Sequence, residues 1–151
     1  KMSADLTWML VRNNNAFMVK RKYAGGVRFS KEANNVMNIS SYKFSGLANK
    51  KTIGLNLVEN AKGQKVVALT KNSKAVNNPK KAMTTTILKK NQANKVQVGA
   101  EAVATATHRS FYRGDLSAAA IGRFHTLNKT LKLKSNQKPK RERKRRGVVR
   151  A

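Results

Sequence analysis

The residues of this chain that could run catalysis or hold a metal are two histidines, His108 and His125, and six carboxylates, Asp5, Glu32, Glu59, Glu101, Asp115 and Glu142; there is no cysteine. Neither histidine has an acid beside it in sequence, and the acids fall one to a segment, so no local pair is set up for general acid/base work. Without thiolates, a zinc site would have to be gathered from scattered acids. The two histidines therefore read as surface or packing residues on helices. Gly46-Leu47-Ala48-Asn49-Lys50-Lys51-Thr52 ends in Lys-Thr, as a phosphate-binding loop does. That loop needs glycine six positions and one position before its lysine, so that backbone amides wrap the phosphates; Ser45 and Lys50 stand there instead. Lys50 and Lys51 read better as point-charge phosphate contacts at a turn. Short of what folding could still bring together, no local arrangement here points to an enzyme, a cofactor, a metal or a small-molecule substrate.

The chemistry the chain does offer is cationic. Lys and Arg number 33 against 6 Asp and Glu, a formal net charge of +27. The densest stretch is Lys138-Pro139-Lys140-Arg141-Glu142-Arg143-Lys144-Arg145-Arg146. Its charges repel and it has no large apolar residue to bury, so alone it is expected to be disordered. A dense polyanion would order it, because each Lys or Arg that meets a phosphate releases a condensed counterion. A nuclear-import signal or a solubilising arm would explain the tail but not the cations spread through every other segment. The expected partner is RNA. The candidate contacts are Arg12, Lys20, Arg21, Lys22, Arg28, Lys50 and Lys51 from the strand region and Arg109, Arg113 and Arg123 from the helices. The tail adds Lys138, Lys140, Arg141, Arg143, Lys144, Arg145 and Arg146, with its arginines foremost, since a guanidinium engages phosphate as a fork and stacks on bases. Tyr23, Phe29 and Tyr112, each beside a cation, are candidate stackers, whereas Phe17, Phe44 and Phe124 are expected in the core and Trp8 mostly buried.

These cations need a frame. Ser3 to Asn13 reads as a helix with Ser3 as N-cap, Asp5 in the first turn and Leu6, Met9 and Leu10 on one face, although Leu6, Trp8 and Leu10 would also share one side of a strand. Residues 16–23 read as a strand and 24–41, with Gly25-Gly26 and its Asn and Ser, as a loop. Tyr42 to Gly46, Thr52 to Val58 and Lys65 to Thr70 read as strands, the last two joined through Asn60-Ala61-Lys62-Gly63 as a hairpin. Residues 71–82 around Pro79 read as linker. From residue 89 the period lengthens: Val96, Ala100, Val103 and Thr107 space as a helical stripe within Asn94 to Ser110. Asp115 is placed to cap a second helix whose stripe is Leu116, Ala120, Phe124, Leu127 and Leu131. The fold class expected is α+β: a small antiparallel β-sheet with an N-terminal helix, two C-terminal helices and a disordered basic tail. Residues 1–82 would form the sheet region and linker, 83–134 a helical region packed on it within one domain, and 135–151 the basic extension. With 40% hydrophobic and 6% aromatic residues the core should be thin and helped by a partner. No apolar run reaches the length of a membrane span, and the first residues lack a signal peptide's pattern, so a soluble intracellular protein with no membrane contact is expected.

Met2-Ser3-Ala4, Leu6, Trp8, Val11-Arg12-Asn13, Phe17, Lys20-Arg21, Phe29-Ser30, Glu32, Asn34-Asn35, Tyr42, Gly46-Leu47 and Lys51-Thr52-Ile53-Gly54 resemble the N-terminal half of the eukaryote-specific large-subunit ribosomal protein family twenty-eight. Tyr112-Arg113, Asp115-Leu116 and Ala119-Ala120-Ile121 with Arg123 are similar to that family's C-terminal helix, and Gln137-Lys138-Pro139 with the basic run to its tail. Residues 71–110 depart from the pattern, being richer in Asn, Thr and Ala and poorer in Arg. The resemblance implies a structural component of the large subunit of the cytoplasmic ribosome, bound to large-subunit ribosomal RNA beside neighbouring ribosomal proteins, with nuclear and nucleolar passage during assembly. It implies no catalytic residues and no cofactor. A ribosome-biogenesis factor is the neighbouring alternative. A chromatin or duplex-DNA binder also fits the charge, but such tails are rich in Lys, Ala and Pro, whereas this one mixes in Arg and the chain has 2 prolines.

Overall fold

The computed structural model describes residues 3–21, 25–61, 63–73, 78, 81–88 and 95–135. The architecture is α+β: an N-terminal helix, two small antiparallel sheets and two C-terminal helices. The expected disordered tail lies outside the described residues.

Helix α1 (Ala4–Val11) begins where its cap dictates. The Ser3 hydroxyl oxygen accepts the Leu6 N–H at 3.2 Å, and Asp5 lies in the first turn, against the positive end of the helix dipole. Its apolar residues do not make a core face, however. Leu6, Met9 and Leu10 are exposed, and Trp8 is half-buried where a mostly buried indole was expected. Polar contacts fasten the helix instead: Tyr42 Oη donates to Asp5 Oδ1 at 2.8 Å, and the Trp8 and Tyr42 rings lie 5.9 Å apart.

Strands β1 (Met18–Lys20) and β2 (Arg28–Ser30) pair as a ribbon in the register Met18↔Ser30, Val19↔Phe29, Lys20↔Arg28. The strand expected over 16–23 is cut short at its start because Asn15 Oδ1 accepts the Phe17 N–H at 2.9 Å, a side-chain turn that competes with extension. Phe17, expected in the core, is 44% exposed, since the ribbon stands apart from the main core. The loop expected over 24–41 contains β2 and a bridge from Phe29 to Ile39. Conversely, Tyr42 to Gly46 is not a strand. Ser45 Oγ accepts the N–H groups of Leu47 and Ala48, Asn49 Nδ2 donates to the carbonyls of Tyr42 and Ser45, and buried Glu32 accepts the Gly46 N–H at 2.6 Å. These bonds satisfy the backbone in a turn, so it gains nothing from a ladder.

Strands β3 (Ile53–Glu59) and β4 (Lys65–Asn72) form the expected hairpin, and β5 (Met83–Ile87), a strand not read from the sequence, pairs with β4. Gly63 closes the β3–β4 turn at φ +68°, which a glycine adopts without strain. Alternation puts Ile53, Leu55, Val67 and Leu69 on the face that meets Val103, Leu116, Ala120 and Phe124 of the helical part, forming one buried cluster with Val36. Asn34 covers the opposite face: its Nδ2 donates to Thr52 Oγ1 at 3.2 Å and Asn72 Oδ1 at 3.0 Å, and its Oδ1 accepts from Thr70 Oγ1 at 2.8 Å. The expected linker over 71–82 gives way at both ends, with β4 running to Asn72 and Ser73 N–H donating to Ala82 O.

Helix α2 (Lys95–Ala104) ends in a π turn, Thr105–Arg109, where one continuous helix to Ser110 was expected. A 3₁₀ turn, Gly114–Leu116, leads into α3 (Ser117–Ser135). Asp115 does not cap α3 as expected, because its carboxylate is taken by Arg113 in the turn before. The expected stripe holds, with Leu116, Ala120 and Phe124 buried and Leu127 and Leu131 packed beside them. Gly99 weakens α2 in propensity, but it is the residue that lets α3 approach, since a Cβ there would overlap the Phe124 ring. Gly99→Ala should therefore lower stability by about 1–3 kcal/mol through overpacking. Gly122→Ala, which meets nothing within 4 Å, should raise it by up to about 1 kcal/mol. Chemical denaturation of the two variants checks this opposite pair of signs.

Candidate nucleic-acid interface

The cations gather in two places. The first is the junction of α1 with the ribbon. Arg28 sits directly across from Lys20, and its Nη1 donates to Arg12 O at 3.3 Å and Asn13 Oδ1 at 3.2 Å, which ties the end of α1 to β2. Like charges at directly opposed strand positions repel. Arg12, Lys20, Arg21 and Arg28 are all exposed, and among the described residues none of them has an acidic partner. Trp8, Arg12, Asn13, Gly26, Arg28 and Ser40 are among the residues that line an open cleft of about 510 Å³ between helix and ribbon. Lys22 and Tyr23 lie outside the described residues.

The second place surrounds Tyr112, which follows the π turn and is half-buried against the end of the β3–β4 hairpin. Its hydroxyl donates to Asn72 O at 3.0 Å and to Thr52 O at 3.4 Å. Burial is the main reason its phenol is raised above the ordinary range. Lys71 Nζ lies 5.1 Å from the ring centroid and Lys51 Nζ 5.7 Å. Desolvation pulls Lys71 below the usual lysine range, and among the described residues no carboxylate pairs with it. Lys43 and Lys50 are exposed in the adjoining turn. Arg113 organises this cluster. Its Nε and Nη2 form a two-pronged bond to Asp115, each at 2.8 Å, while Nη1 donates to Lys51 O and Nη2 to Lys43 O, each at 2.9 Å. The guanidinium fork thus pins the backbone that presents Lys43 and Lys51.

The remaining helical arginines stand apart from both groups. Arg109 pairs with Glu101 at 3.3 Å, an exposed pair worth little to stability. Arg123 is half-buried on α3; in the orientation that satisfies both groups, the Asn38 amide oxygen accepts from Arg123 Nη1 at 3.1 Å. Lys50 and Lys51 belong to the Tyr112 group. Lys138, Lys140, Arg141, Arg143, Lys144, Arg145 and Arg146 lie outside the described residues. The sequence reading missed Lys43 and Lys71. Lys71 has a signal in hindsight: it shares strand parity with Val67 and Leu69, which places it at the polar end of the core face. Among the described residues no three His, Cys, Asp or Glu side chains converge as a metal site would require. His108 is exposed in the π turn and His125 is exposed on α3, edge-on to Phe124 at 5.7 Å. No helix of the described residues is long and apolar enough to cross a membrane.

A model of the Ribosomal L28e protein family matches residues 6–130. A relative from Schizosaccharomyces pombe called large ribosomal subunit protein eL28 is 32% identical over 141 residues, covering 93% of this chain and 96% of the relative. A protein of the same name from Dictyostelium discoideum is 34% identical over 131 residues, 87% of this chain and 90% of its own length. The Caenorhabditis elegans protein of that name reaches 45% identity over a shorter stretch of 89 residues, 59% of this chain and 65% of the relative.

Arg113 gives the cluster around Tyr112 a measurable acid dependence. Its hydrogen bond to Asp115 is the largest cause holding that carboxyl below the usual carboxylate range. A depressed carboxyl contributes stability that is complete above its unfolded value and is lost as pH falls through the folded one. Arg113→Ala should lower stability by about 1–2 kcal/mol at neutral pH, with the gap to the parent narrowing below about pH 4. Thermal melts from pH 7 down to pH 3 provide the check.

Proposed function

The chain belongs to the Ribosomal L28e protein family, and from that premise we propose that it is a structural constituent of the large subunit of the cytosolic eukaryotic ribosome, gripping large-subunit ribosomal RNA through Lys and Arg contacts to phosphate. It has no catalytic part in this reading. The observation that carries the proposal is the imbalance between cations and the acids available to them. The ion pairs among the described residues are Lys65 with Glu59, Arg109 with Glu101 and Arg113 with Asp115. Asp5 and Glu32 are occupied by Tyr42 and by the turn at Ser45 and Gly46. The cations of the α1–ribbon junction and Lys43, Lys50 and Lys51 of the Tyr112 cluster are left exposed, and Lys20 opposite Arg28 is a repulsive arrangement that a phosphate between them would turn attractive.

In this proposal Arg12, Lys20, Arg21, Lys22 and Arg28 hold one strand of RNA and Lys43, Lys50, Lys51 and Lys71 another. Arg109, Arg123 and the tail from Lys138 to Arg146 extend the contact. Arg113 serves mainly as the clamp that aims Lys43 and Lys51, because its donors are largely committed within the protein. Binding several RNA strands on one polycation joins segments that repel one another, which is what a structural ribosomal component does. The apolar side of α1 supports contact with neighbouring large-subunit proteins, and passage through the nucleus and nucleolus during assembly belongs to the same reading.

Removing residues 138–151 should weaken binding to large-subunit ribosomal RNA and flatten its dependence on salt, by about 0.7–0.9 in the log–log slope for each phosphate that is no longer neutralised. Filter binding across a salt series measures this, and an unchanged slope would remove the tail from the interface. Structured RNA should also outcompete duplex DNA at fixed salt; a preference for the duplex would end the ribosomal reading.

A further inference from the structure

Phe111 does nothing for the fold that its backbone alone would not do. It is 89% exposed and stands where the π turn ends, with φ at +50°. The chain bonds around it are those of a helix terminus: Ser110 N–H donates to Thr105 O at 3.0 Å, Phe111 N–H to His108 O at 3.0 Å and Tyr112 N–H to Thr107 O at 3.2 Å. The residue after a helix cap commonly takes this left-handed conformation and is usually glycine, because a Cβ is crowded there. A phenyl ring at that place strains the backbone and leaves a large apolar surface in water. Among the described residues no other ring and no cation lies against it. Glycine would serve the local structure better.

What surrounds the ring indicates what it meets. Arg109 and His108 are exposed in the turn just before it, and Tyr112, with Lys51 and Lys71 against its ring, follows directly. An exposed ring one residue from a lysine cluster is placed to stack an unpaired RNA base while the lysines neutralise neighbouring phosphates. An apolar pocket on another protein would also accept a phenyl ring, but it would gain nothing from a position in the chain directly beside Tyr112 and its two lysines. We propose that Phe111 is a stacking platform for one unpaired base in a bulge or loop of RNA. The proposal rests on the RNA-binding reading above and adds the residue and the kind of nucleotide it takes.

The test uses the full chain and two RNA hairpins with the same stem, one carrying a purine bulge and one fully paired, at fixed salt. The parent should bind the bulged hairpin more tightly. Phe111→Gly should abolish that preference, weakening the bulged complex by roughly 5- to 100-fold, the span seen when a stacking ring is removed, with the salt slope unchanged. Its melting temperature should equal or exceed the parent's, because the left-handed position is relieved. Phe111→Trp should keep the preference and Phe111→Leu should lose most of it. Stacking is overturned if Phe111→Gly still prefers the bulge, if the parent never does, or if Phe111→Gly melts lower and so exposes a structural role. Full rescue by Phe111→Leu would also overturn it, because an aliphatic side chain offers no ring for a base to stack on. A parent that binds neither hairpin would sink the RNA-binding reading itself, whereas equal binding of both would sink the stacking alone.

Discussion

Repulsion among 33 Lys and Arg, set against 6 Asp and Glu, is the constraint under which every other contact in this protein has to work. The fold answers it by using three of its scarce carboxylates as pins. Asp5 fixes Tyr42 and with it the position of α1, and Glu32 fixes the turn that stands where a strand was expected. Asp115 receives Arg113, which in turn holds the backbone of Lys43 and Lys51. Little negative charge remains among the described residues to balance the surface, so the exposed cations present a strongly positive field.

The apolar part of the structure is correspondingly economical. A single hairpin supplies both faces of the interior, one packed on the helices by Ile53, Leu55, Val67 and Leu69, the other closed by the side chain of Asn34. Gly99 allows α2 and α3 to close on Phe124 without a spacer. A satisfied buried amide and a glycine contact of this kind specify one arrangement even where the hydrophobic surface is limited, because alternatives would leave polar groups unpaired or overlap a ring. Helix α1 gains little from burial and depends on directional bonds, which is why it ends up displaying Leu6, Met9 and Leu10 outward.

Both cationic clusters lie where irregular backbone meets regular structure. The first uses the end of α1 and the two-stranded ribbon, and the second uses the segment after the π turn together with the end of the β3–β4 hairpin. Helix and strand provide the rigid support, while the turns aim side chains in directions that a continuous helix or ladder would not offer.

Charge and periodicity are properties of neighbouring residues, and they were legible in the chain itself. The surplus of cations, the Ser3 cap, the β3–β4 hairpin and the stripe from Leu116 to Leu131 all follow from residues a few positions apart. The turn at 42–49, the pairing of β2 with β1, the exposure of Phe17 and the left-handed Phe111 were not legible, because each depends on competition between local bonds and packing that only the assembled chain resolves. Arg113 shows the reason most directly: it bonds carbonyls 62 and 70 residues away, and no local pattern of residue types encodes which carbonyls a guanidinium will reach. The sequence by itself determined that the protein is a polycation on a small α+β frame. Tertiary structure decided which of its cations are gathered outward and which is spent holding the others in place, since that choice is made by contacts between segments far apart in the chain.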